Sequence, residues 1–312
     1  MKKLYIVMAA AGMMAGCQVS EENFSNGTES GVSGLKDGYG LLSVNISDWE
    51  SEVMSTRSAV DASSSNVRFL SLKVFEGTGK ANSEWGEAVY DTIQDKNGTA
   101  IPGTTFGTVN CELKAGTYTI VATGDVSGGT DITSPVLATA PMANFGIEWS
   151  NTSEVTIASG QENALGMTLP MAYAELCIES TTSQPTTANT LRVTVGDTLK
   201  SAFDKVKFNP STRLALKESE GGADKYSIDR DISSTTKNTY TCRIPLWSAD
   251  SAMVVKLEVQ DASNEVIYEH TIKNVPFKLG CRTTCTGPLF DVPSSGTFLI
   301  EKDFIEEIDG GW

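Results

Sequence analysis

The chain has 312 residues, with 39 acidic and 24 basic side chains, a formal net charge of −15 at pH 7 and one histidine, His270. A surface this acidic excludes binding to nucleic acid or docking onto anionic lipid, because both need clustered positive charge. A single histidine leaves few routes to acid–base catalysis or a Ser–His–Asp triad, so we expect no enzyme activity.

Residues 1–16 predict a secretory signal peptide. Lys2 and Lys3 precede an apolar run of about a dozen residues, whereas a membrane span needs roughly 20. The run ends in Met-Ala-Gly-Cys17, which resembles the lipobox of bacterial lipoproteins and implies cleavage before Cys17 and acyl chains on that residue. Each buried CH₂ contributes about 0.8 kcal/mol, so two or three chains would hold the protein on a membrane. A plain signal peptide with a chance cysteine is the alternative.

Residues 17–38 predict a flexible tether. Glu21 and Glu22 follow the lipid cysteine closely, and this acidic pair resembles the surface-export signal of Bacteroidetes lipoproteins. The resemblance implies a lipid-anchored position on the outer face of the outer membrane. From residue 23 to 38 the chain is rich in Ser, Gly, Asn and Thr, a composition that cannot bury a core.

Residues 39–170 predict a first antiparallel β-sandwich. Short alternating runs at 39–46, 67–75, 109–113, 117–123, 154–158 and 164–169 are separated by turn-forming residues. In the first run, Leu42, Val44 and Ile46 share one face. Tight turns at 114–116 and 159–161 predict that the strands on either side of each turn pair. The polar stretches 77–105 and 124–149 are expected to be long loops.

Residues 171–312 predict a second β-sandwich, and Pro170 marks the boundary. Its strands are expected near 172–179, 190–195, 203–208, 214–216, 239–246, 252–260, 266–275, 277–286 and 298–304, with a polar loop at 217–236. Residues 198–206 allow one or two helical turns as an alternative. His270 lies in the alternating run 266–272 and is expected to face solvent. The remaining length suits two domains of about 130 residues each.

Five cysteines follow Cys17, an odd number, so at least one is left without a partner inside the chain. We expect them to be buried as small hydrophobic residues: Cys111, Cys177, Cys242, Cys281 and Cys285. On a strand, Cys281 and Cys285 would lie about 13 Å apart, too far for a disulfide, whereas a turn would allow one. No metal site is expected, because no histidine lies nearby and no second cysteine pair exists. No phosphate loop, catalytic motif or cofactor motif is present.

Three stretches resemble the fimbrillin superfamily, the type V pilins and related surface lipoproteins of Bacteroidetes. They are GYGLLSVNI at 38–46 followed by TRS at 56–58, LKAGTYTIVA at 113–122, and NVPFKLGCRTTCTG at 274–287 continuing to Phe290. The third stretch departs from the family pattern, because Gly280 and Cys281 stand where the family usually has an asparagine.

The resemblance implies two transthyretin-like sandwich domains and a role as a pilus or fimbrial subunit in adhesion, with like or related subunits as partners. In polymerising members a protease cuts after Arg or Lys in the loop behind the first strand, and a strand from another subunit replaces it. Arg57 is then the candidate processing site, because it lies in a polar stretch between two strand patterns; Arg68 is a poorer one. The candidate strand-exchange residues are Leu42, Val44 and Ile46 in the first strand and Phe298, Ile300 and Phe304 in the last.

Other interpretations remain open at this point. The first strand is as readily a permanent part of its sandwich, and the last strand is as readily paired within its own domain. The second candidate function is a surface-anchored module that never polymerises and binds a glycan or a host protein. Trp49, Trp85, Trp149 and Trp247 offer aromatic platforms for a sugar, or they pack in the core. Trp312, at the end of a Gly-Gly-Trp sequence, is a candidate plug for a pocket.

Overall fold

A computed structural model describes residues 34–50, 60–61, 67–98, 105–125, 128–141, 147–196, 205–223, 225–233, 238–291 and 297–304. Within these ranges the protein consists of strands joined by turns, with two single turns of 3-10 helix at Asn82–Glu84 and Glu218–Glu220. The all-β prediction is therefore confirmed. The signal peptide, Cys17, most of the tether, Arg57 and Trp312 lie outside the described residues.

The strands before Pro170 are β1 (Tyr39–Glu50), β2 (Val60–Asp61), β3 (Phe69–Glu76), β4 (Tyr90–Asp95), β5 (Thr108–Lys114), β6 (Gly116–Asp125), β7 (Asp131–Ser134), β8 (Leu137–Pro141), β9 (Ile147–Ile157) and β10 (Glu162–Pro170). Those after it are β11 (Ala174–Ser180), β12 (Thr190–Gly196), β13 (Lys205–Asn209), β14 (Leu214–Ala215), β15 (Lys225–Asp231), β16 (Thr239–Ile244), β17 (Asp250–Gln260), β18 (Val266–Lys278), β19 (Cys281–Gly287) and β20 (Leu299–Phe304).

Two sheets form the N-terminal half. In one, β1 lies between β10 and β5 and also pairs with β2, and in the other the order is β4-β3-β6-β9. Alternation decides which face of each strand is buried, because successive side chains point to opposite sides. Leu70, Leu72 and Val74 of β3 and Val109 of β5 join the same hydrophobic core as the apolar residues of β1.

The two tight turns at 114–116 and 159–161 change sheet instead of closing hairpins. At Ala115 the chain passes from β5 in one sheet to β6 in the other, and the turn before Glu162 carries β9 over to β10 in the same way. The prediction that these neighbours pair is therefore wrong. A short turn rich in small residues permits either outcome, and only the buried faces of both sheets together decide between them.

Two further sheets form the C-terminal half, with the strand orders β16-β11-β19-β20 and β15-β12-β17-β18. The long β17–β18 hairpin turns at Asn264, whose φ of +64° is a left-handed conformation that asparagine tolerates. Leu191, Val193 and Val195 of β12 pack into the core.

A fifth sheet crosses the predicted boundary at Pro170. Its order is β14-β13-β8-β7, and it pairs Ala140 with Val206 and Ala138 with Phe208. One of its faces covers a second hydrophobic cluster, formed by Phe75, Val121, Ile132, Ala138, Ala140, Ala172 and Phe208. Strands from both sides of Pro170 thus share one ladder of hydrogen bonds, and the division into domains 39–170 and 171–312 stays a prediction.

Three stretches expected to be loops contain strands. Residues 77–105 hold β4, residues 124–149 hold β7 and β8, and residues 217–236 hold β15. Strand β4 is an edge strand whose half-buried residues Tyr90, Thr92 and Gln94 are mostly polar, so its sequence lacks a strong apolar alternation. Residues 205–209 form β13, and no helix begins there.

Candidate functional site

The first strand, β1, fills a slot with a partner strand on each side. It runs parallel to β10, with Val44 opposite Leu165, and antiparallel to β5, with Val44 also opposite Val109. Leu42 and Val44 have no exposed surface, and Ile46 is 1 % exposed. Ser43 is half-buried and Asn45 is exposed on the opposite face. The strand is therefore an interior part of its sheet and of the core.

The turn between β9 and β10 forms hydrogen bonds with the backbone at the start of β1. Gly160 N donates to Tyr39 O at 2.7 Å, Leu41 N donates to Gln161 O at 2.9 Å, and Asn163 Nδ2 donates to Leu41 O at 3.3 Å. The turn itself is fixed by a bond from Ala158 N to Asn163 Oδ1 at 3.1 Å. We call residues 158–163 the register clamp, because they contact the backbone on both sides of Gly40.

The last described strand, β20, lies at an edge. It pairs only with β19 among the described strands, in antiparallel register with Ile300 opposite Cys285. Phe298, just before it, meets the His270 ring edge-on at 5.4 Å between centroids, and its ring covers Gly287. Leu299 is 62 % exposed, whereas Ile300 is half-buried against the core. The side chain of Phe304 lies outside what the structure describes.

The structure does not bring the two sets of candidate strand-exchange residues together. Leu42, Val44 and Ile46 belong to the sheet of β10 and β5, whereas Phe298 and Ile300 border the sheet of β11 and β19. Arg68, the poorer processing candidate, forms a two-bond pair with Asp95, with both N–O distances 3.2 Å. The guanidinium holds the pKa of that carboxyl below its usual value, and the strand β3 begins at the next residue.

His270 is buried, so the expectation that it faces solvent is wrong. Its Nε2 lies 3.1 Å from Leu289 O, and the ring packs against Phe298. The residue shares its face of β18 with Ile272, which is also buried, so the alternation of the strand placed it inside. The segment around Leu289, which covers this face, is distant in sequence and could not be paired with it from the pattern.

All five cysteines after Cys17 are buried, as predicted. Cys111, Cys177, Cys242 and Cys285 are free thiols, and burial raises the pKa of Cys111 and Cys285 to about 12 and that of Cys177 to about 11. These thiols stay protonated at neutral pH, so they act as packing groups. Cys281 and Cys285 both lie on strand β19, the geometry in which their spacing is too long for a disulfide.

A row of charges that the sequence did not reveal crosses three strands of one C-terminal sheet. Glu175 of β11 lies opposite Arg243 of β16 on one side and Arg282 of β19 on the other. Glu175 and Arg243 are each 3 % exposed, and Arg282 Nε donates to Glu175 Oε1. Arg243 also stacks over Tyr173 at 5.2 Å from the ring centroid. Such a row of alternating charges stabilises a buried carboxylate, and within the described ranges no cluster of metal-binding side chains is found.

The tryptophans with described side chains are packing residues. Trp149 is buried, Trp85 packs edge-on against Phe75 at 6.1 Å, and Trp247 stacks on Tyr226 at 5.2 Å. An open cavity of ≈ 420 Å³ is lined by Lys205, Lys207 and Tyr226, and Tyr226 is 1 % exposed. The side chain of Trp49 is not described. In the described segments, no helix has the length or apolarity to cross a membrane.

Comparisons with known proteins give structural neighbours only. No family model matches the chain, and no curated protein matches it. A candidate cell-adhesion protein from Bacteroides ovatus is 16 % identical, with 86 % of this chain and 98 % of that chain covered and a TM-score of 0.44. The tip fimbrial protein Mfa3 from Porphyromonas gingivalis, with a C-terminal truncation, is 12 % identical over 86 % of this chain and 100 % of that one, with a TM-score of 0.39.

The fimbrial anchor protein Mfa2 from Porphyromonas gingivalis is 12 % identical over 79 % of this chain and 90 % of that one, with a TM-score of 0.42. The three neighbours are described as adhesion and fimbrial proteins of Bacteroides and Porphyromonas. At such identities and TM-scores the likeness assigns no function to this chain.

Proposed function

We propose that this chain is a fimbrillin-like subunit of a surface fimbria, anchored by lipid at Cys17 on the outer membrane and assembled by strand exchange, with a role in adhesion. The observation that carries the proposal is the place of β1. It is the first strand of the body, it directly follows the tether, and it lies between β5 and β10 with three aliphatic side chains in the core.

Loss of β1 would open a groove that needs a replacement. Burying each of Leu42, Val44 and Ile46 contributes about 1.5–3 kcal/mol, and both neighbouring strands would lose their backbone partners. A strand from another subunit would restore the ladder and the core at once, which makes assembly part of the fold. The affinity comes from the main chain, and the alternating side chains set the register.

Arg57 lies between β1 and the rest of the body in the sequence. A cut after this residue would leave Cys17, the tether and β1 on one fragment and residues 58–312 on the other. Only non-covalent contacts would then hold β1 in its slot. An uncut subunit would keep its membrane anchor, and a cut subunit would become free to join a polymer.

The test is limited proteolysis of the purified precursor with a trypsin-like protease. We expect one early cut that exposes Ser58 as a new N-terminus, followed by ladders of multimers on a gel. The matched control is Arg57→Ala, which should stay whole and monomeric at the same protease dose. A stable monomer that forms no ladder after the cut at Arg57 would overturn the proposal. If that monomer bound a glycan on an array, the result would favour the alternative function, a surface-anchored binding module that does not polymerise.

A further inference from the structure

Gly40 is a position of β1 where no side chain fits. A β-carbon there would lie against Ala158 O, closer than non-bonded atoms approach, and 2.8 Å from Ile157 Cγ2 and 2.9 Å from Asn163 Nδ2. The first of these atoms belongs to the backbone of the register clamp, so no rotamer change relieves the overlap. Any strand in this slot must therefore place a glycine at this point.

The hydrogen bonds of the clamp strengthen this requirement. They bind the carbonyl of Tyr39 and both backbone groups of Leu41, the residues on either side of Gly40. Backbone hydrogen bonds can form with any sequence, but they fix the register of the strand along the slot. The clamp thus combines hydrogen bonds that do not depend on sequence with a steric requirement for glycine.

Beyond the glycine, the slot requires apolar residues at every second position. Leu42, Val44 and Ile46 meet this need in β1, at two, four and six residues after Gly40. The last strand of the chain repeats this pattern at two of the three positions, because Gly296 is followed by Phe298 and Ile300, with Lys302 at the third. Gly107, before β5, and Gly116, at the start of β6, are also followed by apolar residues at this spacing. Neither strand is a candidate to enter the slot, because β5 forms one side of it and β6 lies between β3 and β9.

We infer that the last strand of a second copy enters the slot with Gly296 at the position of Gly40. This inference rests on the strand exchange proposed above and adds its register. Phe298 then replaces Leu42, Ile300 replaces Val44, and the strand runs parallel to β10 as β1 does. Lys302 replaces Ile46, which is 1 % exposed, so this is the least favourable position of the inferred register.

Other registers fail for stated reasons. A shift by one residue turns Phe298 and Ile300 to the outer face. A shift by two in one direction places Phe298 against Ala158 O, and a shift by two in the other direction places Ser294 there and leaves Gly296 where Leu42 fills the core. The glycine-on-glycine register alone avoids both an overlap and a large cavity.

The first experiment exchanges the strand within the full chain. One variant replaces the sequence GLLSVNI at 40–46 with GTFLIEK, the sequence of 296–302, and its control receives FLIEKDF, the sequence of 298–304. We expect the first variant to melt cooperatively but below the native temperature, because a lysine replaces the buried Ile46, and the control to show no cooperative transition. A third variant carries GTFLIEI, in which isoleucine replaces this lysine. It tests the register even if the lysine alone prevents folding. Equal melting of the in-register variants and the control would overturn the inferred register.

The second experiment maps the register between copies after cleavage at Arg57. Because Ser43 lies opposite Asn110, the inferred register places Leu299 of the incoming strand opposite Asn110. We expect a disulfide between copies for Leu299→Cys with Asn110→Cys, and none with Glu112→Cys or Thr108→Cys, the positions that two-residue shifts would favour. Assembly with a cross-link at Glu112→Cys or Thr108→Cys overturns the register and leaves the proposed function standing. A cut protein that never assembles overturns the proposed function, and with it the inference.

Discussion

At the scale of single residues, the feature that was hardest to predict is the buried row of charges around Glu175. Glu175 is nearly fully buried between Arg243 and Arg282, and its two partners are 68 and 107 residues away along the chain (243 − 175 and 282 − 175). Nothing local in the sequence links these charges, because only the pairing of three strands brings them into one row. A carboxylate in such a place is tolerated only with partners, since an isolated buried charge is very costly.

Replacing Glu175 with alanine should therefore be costly. The change leaves two guanidiniums beside each other without the carboxylate between them, and we expect the free energy of unfolding to fall by about 3 kcal/mol. The matched control is Asp229→Asn, which breaks the exposed pair with Arg192 (2.7 Å) and should cost about 0–1 kcal/mol. Urea titrations followed by circular dichroism measure both. Similar losses for the two variants would show that the buried row does not stabilise the fold.

Among the elements, the long strands with alternating apolar residues were predictable and the short polar ones were not. The run that forms β1 carries Leu42, Val44 and Ile46 on one face, and that face is the buried one. The sequence predicts loops where β4, β7, β8 and β15 form, because these strands are short or polar and only their neighbours in the sheet define them. The register clamp could not be predicted either, because a turn that changes sheet has the same small residues as one that closes a hairpin.

Adjacent residues of β1 should respond in opposite ways to a negative charge. Val44→Asp places a carboxylate in the core and should abolish cooperative unfolding, because a buried polar group without a partner costs about 2–7 kcal/mol. Asn45→Asp adds the same group one residue later on the exposed face and should shift stability by less than about 0.5 kcal/mol. Thermal melts of the intact chain separate the two outcomes. A native-like melt for Val44→Asp would mean that β1 contributes little to the core.

For the whole molecule, the decisive feature is the sheet that pairs β8 with β13 across Pro170. The chain length and the predicted boundary at Pro170 indicate two sandwiches in series, and no pattern in the sequence indicates a sheet shared between them. The reason is physical: β7, β8, β13 and β14 have two to five residues each, and their apolar side chains complete a cluster only when both halves are folded. Phe208 contributes the largest side chain from the C-terminal half to this cluster, which also contains Phe75 of the N-terminal half.

Truncating Phe208 should weaken the coupling between the two halves, to which the main core, with residues from both, also contributes. We expect the native protein to unfold in a single calorimetric transition, and Phe208→Ala to cost about 3–5 kcal/mol and to broaden or split that transition. The control is Phe106→Ala, a partly buried residue that packs against the main core and lies outside the Phe208 cluster. It should lower the melting temperature without splitting the transition. Two separate transitions in the unmodified protein would contradict the expected coupling.

The position of β1 between two partners also has a mechanical consequence. Tension applied through the segment before Tyr39 enters the sheet along the axis of β1 and not across it. The bonds to β5 and β10 then share the load in shear, and they must yield together, whereas bonds at an edge would open one after another like a zipper. If the proposed lipid anchor holds the subunit, the membrane would pull on it through this strand, where the hydrogen bonds are loaded in shear.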